Sequence, residues 1–125
     1  MSTKRVLVAE DSSIMRMFIT NSLKRVSKVE VIEAKNGVEA LKVLKEGPVD
    51  LVILDVNMPL LNGIEVLRTI RGDAALKEIP VVICTRESDS REVWEKLGAT
   101  DYLSKPVIQM ELNQTVLKYL ELNGK

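Results

Sequence analysis

The apolar positions of the chain form two alternating patterns, short apolar runs and longer segments with helical spacing. Four short, largely apolar runs rich in β-branched residues predict strands at residues 6–9, 29–32, 51–54 and 81–84, and a weaker run lies at 101–103. Between and after these runs, apolar residues recur at helical spacing within residues 13–26, 37–45, 63–72, 88–97 and 107–121. Ile14, Ile19, Val38 and Ile108 are among those helical positions. The pattern therefore predicts strand and helix in alternation, five times.

Two of the strand runs, residues 6–9 and 51–54, contain no polar residue. Such runs are typical of strands that helices cover on both faces of a parallel sheet. Right-handed crossovers then give an α/β fold with a doubly wound sheet of five parallel strands. Ligands of such sheets bind at the carboxyl ends of the strands, close to the point where the strand order reverses. We therefore expect the functional residues just after residues 9, 54, 84 and 103.

Polar residues with useful chemistry follow four of the five predicted strands. Glu10 and Asp11 follow the first strand, Asp55 the third, Thr85 the fourth and Lys105 the fifth. Carboxylates that converge in one crevice repel one another unless a cation neutralises them or their pKa values rise. The carboxyl edge of the sheet is therefore predicted to bind a cation.

Mg²⁺ fits this edge, because it prefers oxygen ligands and is usually held by one or two carboxylates, water and phosphate oxygens. Asp11 and Asp55 can supply the carboxylates, Glu10 can act directly or through water, and a main-chain carbonyl of the 55–57 turn can complete the set. Residues 11–13 also fit a helix N-cap, so the first acidic pair alone leaves both readings open. Asp55 favours the metal, since capping does not explain a carboxylate at the end of another strand.

Asp55 is also a candidate nucleophile, because a carboxylate oxygen can accept a phosphoryl group. Such a transfer requires neutralisation of the phosphoryl charge, which Mg²⁺ and a lysine such as Lys105 provide. The hydroxyl of Thr85 can bond a phosphoryl oxygen. The alternatives are a solvated lysine and a threonine that only closes a turn. The positions of both residues at the ends of separate strands favour the functional reading.

Composition narrows the classes of function. The 125 residues fit one domain, and 18 Lys and Arg balance 18 Asp and Glu, which disfavours nucleic-acid binding. The chain has no histidine, which excludes a histidine base, metal ligand or phosphocarrier within it. The single Cys84 excludes a disulfide within the chain and fits a cytoplasmic location, and no run approaches the ~20 apolar residues of a membrane span.

Four motifs resemble the receiver domain of bacterial two-component response regulators, in particular the stand-alone kind similar to chemotaxis regulators. They are VLVAEDSS at 6–13, LVILDVNMP at 51–59 with Gly63, VVICT at 81–85 and GATDYLSKP at 98–106. The resemblance implies a flavodoxin-like (βα)5 fold with strand order 2-1-3-4-5. It also implies a single receiver domain over residues 1–125, without an output domain.

The resemblance assigns the acidic residues to phosphorylation and metal binding. Asp55 matches the aspartate that accepts the phosphoryl group. Asp11, Asp55 and the main-chain carbonyl of Asn57 match the Mg²⁺ ligands, and Glu10 matches the second member of the acidic pair.

The resemblance further implies a switch. Thr85 matches the hydroxyl that moves toward the phosphoryl group, Lys105 the lysine that contacts it, and Tyr102 the aromatic residue that rotates with the threonine. The Lys105-Pro106 peptide matches one that is usually cis in this family.

The implied partners are a sensor histidine kinase or a phosphotransfer protein as donor, with a small acyl phosphate as a substitute. A separate effector protein would bind the surface of the fourth helix, fifth strand and fifth helix. The lack of histidine agrees with a donor in trans. We expect a signalling switch that catalyses its own phosphorylation and dephosphorylation, not an enzyme, with no direct nucleic-acid binding and no membrane insertion.

Three other classes of protein are alternatives to a receiver domain. An aspartyl-phosphate phosphohydrolase typically needs a second aspartate two residues after the nucleophile, where this chain has Asn57. A flavin module of the flavodoxin type needs a glycine-rich phosphate loop after the first strand, where this chain has acids. A pseudo-receiver scaffold without phosphorylation stays open.

Two further side chains lie near the implied switch surface. Arg86 stands where the family usually has a small residue, and it can either crowd the approach to Asp55 or point away into solvent. Trp94, in the fourth helix, is expected in the core rather than on a partner surface.

Overall fold

The computed structural model describes residues 3–85 and 91–120. In chain order its elements are β1 (Lys4–Ala9), α1 (Ser13–Lys24), β2 (Val29–Ala34), α2 (Gly37–Glu46), β3 (Leu51–Asp55), α3 (Gly63–Gly72), β4 (Val81–Thr85), α4 (Arg91–Lys96), β5 (Asp101–Ser104) and α5 (Gln109–Leu120). The strands form one sheet in the order β2-β1-β3-β4-β5, and every neighbouring pair is parallel. The predicted α/β class and the strand order 2-1-3-4-5 are confirmed.

Side-chain caps set the starts of the first three helices. Ser12, Asn36 and Asn62 cap α1, α2 and α3, and each side chain accepts a hydrogen bond from the main-chain N–H three residues further on. Glu65 accepts in return from the N–H of Asn62, which completes a capping box. The cap of α1 is Ser12 and not Asp11. Capping therefore does not account for Asp11.

The core lies in two layers, one on each face of the sheet. On one face α1 and α5 pack against the strands, with Ile19 and Leu112 among the buried residues. On the other face α2, α3 and α4 cover the sheet, with Leu67 and Trp94 buried. β3 and β4 are buried along their whole length. Each fully buried leucine or isoleucine stabilises this arrangement by about 1.5–3 kcal/mol. The prediction of a buried Trp94 is confirmed.

Apolar residues at helical spacing are exposed at the starts of three helices, and Phe18 in the second turn of α1 is 37% exposed, contrary to a simple reading of the pattern. Ile14 is 82%, Val38 53% and Ile108 55% accessible to solvent. Ile14, Val38 and Ile108 each lie in or next to the first turn of a helix. Hydrophobic spacing at these helix starts therefore does not predict burial.

The helix starts at residues 13, 37 and 63 agree with the predictions, whereas α1 ends at Lys24 instead of residue 26 and α5 begins at Gln109 instead of residue 107. Within the described part of the chain, no helix combines the length and apolarity needed to cross a membrane. Residues 86–90, which include Arg86, lie outside the described residues. Both readings of Arg86 therefore stay predictions.

Candidate functional site

Three carboxylates meet at the carboxyl edge of the sheet. β1 and β3 are neighbours, and their register pairs Ala9 with Leu54, so that Glu10 and Asp55 leave the two strands side by side. One carboxylate oxygen from each of Glu10, Asp11 and Asp55 lies within 4.8 Å of the others. Glu10 and Asp55 are buried, whereas Asp11 is exposed. The structure thus brings the three predicted acids together, with one side of the cluster open to solvent.

Lys105 joins the two buried carboxylates. Its Nζ donates to Asp55 Oδ1 at 2.9 Å and lies 3.2 Å from Glu10 Oε1. Burial by itself lowers the pKa of Lys105, but the hydrogen bond to Asp55 and the charges of Asp55 and Glu10 outweigh this and raise the pKa. The lysine is therefore held as a cation between the two acids.

Of the two buried acids, Glu10 is the less fully hydrogen-bonded. Burial raises the pKa of its carboxyl group from 4.5 to about 7, and Asp55 adds to the rise, while the N–H of Ser12 and the charge of Lys105 oppose it. The Ser12 N–H donates to Glu10 Oε2 at 3.1 Å. Glu10 Oε1 is buried and has no hydrogen bond among the described residues, although Lys105 is close. The site therefore presents a buried oxygen that one lysine does not satisfy.

This set of donors fits a hard divalent cation. Three carboxylates within reach of one another, one of them exposed and one with an unsatisfied oxygen, match the oxygen ligands that Mg²⁺ takes. Asn57 lies at the rim, and its main-chain N–H donates to Asp55 Oδ1 at 3.3 Å. The main-chain carbonyl of Asn57 as a ligand stays a prediction.

Thr85 lies at the same edge of the sheet. It ends β4, next to Cys84, which pairs with Asp55 in the register of β3 and β4. The side chain of Thr85 is buried, and its main-chain carbonyl accepts from the N–H of Lys105 at 2.8 Å. The Lys105-Pro106 peptide is cis, as predicted. The ends of β4 and β5 thus place Thr85 and Lys105 beside the carboxylates.

Tyr102 lies away from this cluster, in a groove between α4, β5 and α5. The groove has a volume of about 240 Å³, and Trp94, Tyr102 and Tyr119 are among its lining residues. The hydroxyl of Tyr119 donates to Asp101 Oδ2 at 2.8 Å. Burial, the hydrogen bond to Asp101 and the charge of Asp101 raise the pKa of Tyr119 to about 12. Tyr102 therefore belongs to the predicted effector surface, and its rotation stays a prediction.

Sequence reasoning missed two residues that touch the acidic pair. The sequence predicts Ser12 only as part of a cap, yet its main-chain N–H donates to the Glu10 side chain. Arg16 donates to the main-chain carbonyl of Glu10 at 2.7 Å. A main-chain contact leaves no spacing signal in a sequence. The proximity of Ser12 to the acids was the one available hint.

The comparisons with known proteins, by sequence and by structure, agree with one another. The family model of the response regulator receiver domain matches residues 6–117. The chain is 36% identical over 122 residues to chemotaxis protein CheY1 of Helicobacter pylori, across 95% of this chain and 98% of that protein. It is 34% identical over 119 residues to chemotaxis protein CheY-3 of Vibrio cholerae, across 94% and 92%. Among solved structures, the chemotaxis response regulator CheY4 of Vibrio cholerae superposes with a TM-score of 0.87 at 29% identity, across 94% and 99%. Sequence and fold similarity both cover nearly the whole chain.

Proposed function

Because the chain belongs to the response regulator receiver domain family, we propose that it is a phosphorylation switch whose Asp55 accepts the phosphoryl group. The contact of Lys105 Nζ with Asp55 Oδ1 at 2.9 Å, inside the carboxylate cluster, is the observation that carries this proposal. The donor is a phosphohistidine of a sensor histidine kinase or phosphotransfer protein, and a small acyl phosphate can replace it. Such a donor acts in trans, since the chain contains no histidine.

In the proposed transfer, a carboxylate oxygen of Asp55 attacks the phosphorus. The new O–P bond forms as the P–N bond to the donor imidazole breaks, and that bond's electron pair leaves with the nitrogen. Lys105 stabilises negative charge on the phosphoryl oxygens, and the hydroxyl of Thr85 bonds to one of them in the product. Lys105 thereby exchanges part of its contact with Asp55 and Glu10 for a contact with the phosphoryl group.

Glu10, Asp11 and Asp55 are the residues that would hold Mg²⁺, with the main-chain carbonyl of Asn57 as a further ligand. When bound, the ion neutralises negative charge on the transferring phosphoryl group. Glu10 Oε1, which lacks a hydrogen bond among the described residues, supports this assignment. Among the described residues, Lys105 is the cation that contacts the carboxylates of Glu10 and Asp55.

The effector surface of the proposed switch is the one formed by α4, β5 and α5. The connection from the site runs through the ends of β4 and β5, because Thr85 and Lys105 are joined by a main-chain hydrogen bond of 2.8 Å. Tyr102, three residues before Lys105, lines the groove on that surface. A charge change at Asp55 then biases a two-state element on this surface, toward an effector that is a separate protein. We place this exchange in the cytoplasm, in keeping with the unpaired Cys84.

The proposal is a switch and not a hydrolase with turnover. Asn57 stands two residues after Asp55, and its amide side chain cannot act as the general acid that an aspartyl-phosphate phosphohydrolase uses. The side chain of Asn57 is exposed at the rim of the site. The phosphoryl group would therefore persist long enough to be read by a partner.

Incubation with Mg²⁺ and acetyl phosphate, followed by intact-mass measurement, tests the proposal. Wild type should gain one phosphoryl group, and Asp55→Asn should gain none. Asp73→Asn, the same change at the C-terminal end of α3, should behave as wild type. EDTA should suppress the gain in wild type.

Two outcomes would contradict the proposal. A wild type that never gains a phosphoryl group would favour a pseudo-receiver scaffold. An Asp55→Asn variant that gains it as fully as wild type would move the acceptor to another residue.

A further inference from the structure

Arg16 bridges the ends of two neighbouring strands beneath the acidic pair. Its Nη1 donates to the main-chain carbonyl of Glu10 at 2.7 Å, and its Nε donates to Glu33 Oε1 at 3.1 Å. Glu10 follows β1, and Glu33 lies in β2. The Arg16 side chain is 18% exposed and that of Glu33 46%, so the bond to the Glu10 carbonyl is partly buried and the bond to Glu33 is exposed. One planar guanidinium therefore ties the carbonyl of Glu10 to the adjacent strand.

This bond determines the direction of the peptide that connects Glu10 to Asp11. Because the peptide unit is planar, fixing the Glu10 carbonyl fixes the N–H and the Cα position of Asp11 as well. The other contacts near this peptide are the hydrogen bond from the Glu10 N–H to the carbonyl of Ala34 at 3.0 Å and that from Ser12 N–H to the Glu10 side chain. The first bond lies before the Glu10–Asp11 peptide and the second lies after it, and neither binds the Glu10 carbonyl.

Asp11 depends on its main chain for its position. Its carboxylate has no hydrogen bond or ion pair among the residues that the structure describes, in contrast to Asp55 and Glu10. It nevertheless lies within 4.8 Å of the other two carboxylates. In the absence of a side-chain partner, the direction of the Glu10–Asp11 peptide sets where this carboxylate lies.

We propose that Arg16 is a positioning residue for the metal site: its bond to the Glu10 carbonyl holds Asp11 where it can share a cation with Glu10 and Asp55. This inference rests on the proposed function, because it takes the cation to be the Mg²⁺ used in phosphorylation. Glu33 orients Arg16, since it accepts from the Nε of the same guanidinium. Arg16 itself contacts neither the cation nor the phosphoryl group.

A positioning role of Arg16 and a purely electrostatic role predict opposite effects of its removal on the affinity for Mg²⁺. A cation near a metal site repels the metal, so on charge alone its removal would strengthen Mg²⁺ binding. Loss of a group that orients a metal ligand typically weakens metal binding by about 10–100-fold. The sign of the change therefore separates the two roles.

The test is a MgCl₂ titration of ¹⁵N-labelled protein, followed by the amide resonances of Asp11 and Asp55. Arg16→Met should raise the Kd for Mg²⁺ by about 10-fold or more. Arg16→Lys keeps the charge but cannot offer two neighbouring donors in one plane, so its Kd should lie between those of Arg16→Met and wild type. Arg25→Met removes the same charge nine residues further along the chain, about 13 Å along the helix axis, and should leave the Kd close to wild type.

Phosphorylation by acetyl phosphate supplies a second readout. Arg16→Met should need more Mg²⁺ for half-maximal rate, while its rate at saturating Mg²⁺ stays close to wild type. Urea unfolding in EDTA reports any loss of stability separately. Glu33→Gln, which leaves the Glu10 carbonyl bond possible, should show a smaller rise in Kd.

An Arg16→Met variant that folds and binds Mg²⁺ as tightly as wild type, or more tightly, would overturn the positioning role while leaving the proposed function intact. A lower rate at saturating Mg²⁺ with unchanged Kd would also overturn it. A wild type that binds no Mg²⁺ would remove the metal part of the proposed function, and this inference with it.

Discussion

Replacement of Glu10 by glutamine should stabilise the fold near neutral pH. Glu10 is 1% exposed, and one of its oxygens has no hydrogen bond among the described residues. Burial, together with Asp55, raises the pKa of Glu10 from 4.5 to about 7, despite the opposing effects of the Ser12 N–H and Lys105. The folded protein therefore disfavours the ionised form of this side chain. Glutamine has nearly the same shape and no charge.

The expected gain follows from linkage between proton binding and folding. Below about pH 4.5 Glu10 is protonated in both the folded and the unfolded chain, so wild type and variant respond alike. Between 4.5 and about 7 the unfolded chain loses the proton first, so wild-type stability falls by up to about 1.4 kcal/mol per pH unit relative to the variant. Above about pH 7 the full penalty is present. Glu10→Gln should therefore raise the free energy of unfolding at about pH 8 by up to about 3 kcal/mol.

Urea unfolding of both proteins in EDTA, at about pH 4 and about pH 8, measures this difference. Glu46→Gln is the matched control, since this exposed glutamate of α2 should change stability by less than about 0.5 kcal/mol at either pH. Added Mg²⁺ should stabilise wild type more than Glu10→Gln, because it binds the folded site. The gap at high pH should then narrow.

Two results would refute this reasoning. A Glu10→Gln variant that is less stable than wild type at about pH 8 would mean that the contacts of the charged form outweigh its burial. An equal difference at both pH values would mean that ionisation of Glu10 is not the cause.

Three other predictions concern stability and reactivity. In Gly37→Ala the new Cβ would overlap a main-chain oxygen in the loop after β3, so the free energy of unfolding should fall by about 1–3 kcal/mol. In Gly72→Ala, in the last turn of α3, the new Cβ meets no atom within 4 Å, so the free energy of unfolding should rise by about 0.5 kcal/mol. Urea unfolding compares the two variants, and equal effects would contradict the packing around Gly37. Cys84 is buried, and burial raises the pKa of its thiol to about 12, so iodoacetamide should label it only as the protein unfolds, and rapid native labelling would contradict this. Lys105→Met leaves two buried carboxylates without their lysine and should lower the free energy of unfolding by about 3 kcal/mol in EDTA near neutral pH. Lys77→Met, at an exposed lysine, should change it little. A Lys105→Met variant as stable as wild type would contradict the role of the ion pair.

The fold and the members of the site could be predicted because they depend on position along the chain. Apolar runs without polar residues identified the central strands, and the carboxyl ends of parallel strands necessarily meet at one edge. A polar residue directly after a strand is then placed to within a few ångströms by topology alone. Glu10, Asp55 and Lys105 were found in this way, and the structure brings them into contact.

What could not be predicted depends on single contacts. The raised pKa of Glu10 depends on how deeply its carboxyl group is buried and on the closeness of Asp55, which spacing along the chain does not report. Arg16 and Glu33 are 17 residues apart and meet because β2 adds to the sheet beside β1. Ile14 has the spacing of a core residue, yet its side chain is 82% exposed. Periodicity reports the direction of a side chain but not whether a neighbour exists there.

Removing the charge of Glu10 should affect stability and function in opposite directions, whereas removing Lys105 should reduce both. Two buried carboxylates share Lys105, so without a cation the cluster holds more negative charge than it neutralises. Removing charge at Glu10 should stabilise the fold and weaken Mg²⁺ binding, whereas removing Lys105 should destabilise the fold and also slow phosphoryl transfer. A site shaped by folding alone would have an apolar or amide residue at position 10, because that choice removes the cost of burial. The retained acid is explained if an incoming divalent cation completes the charge balance that the folded chain leaves open.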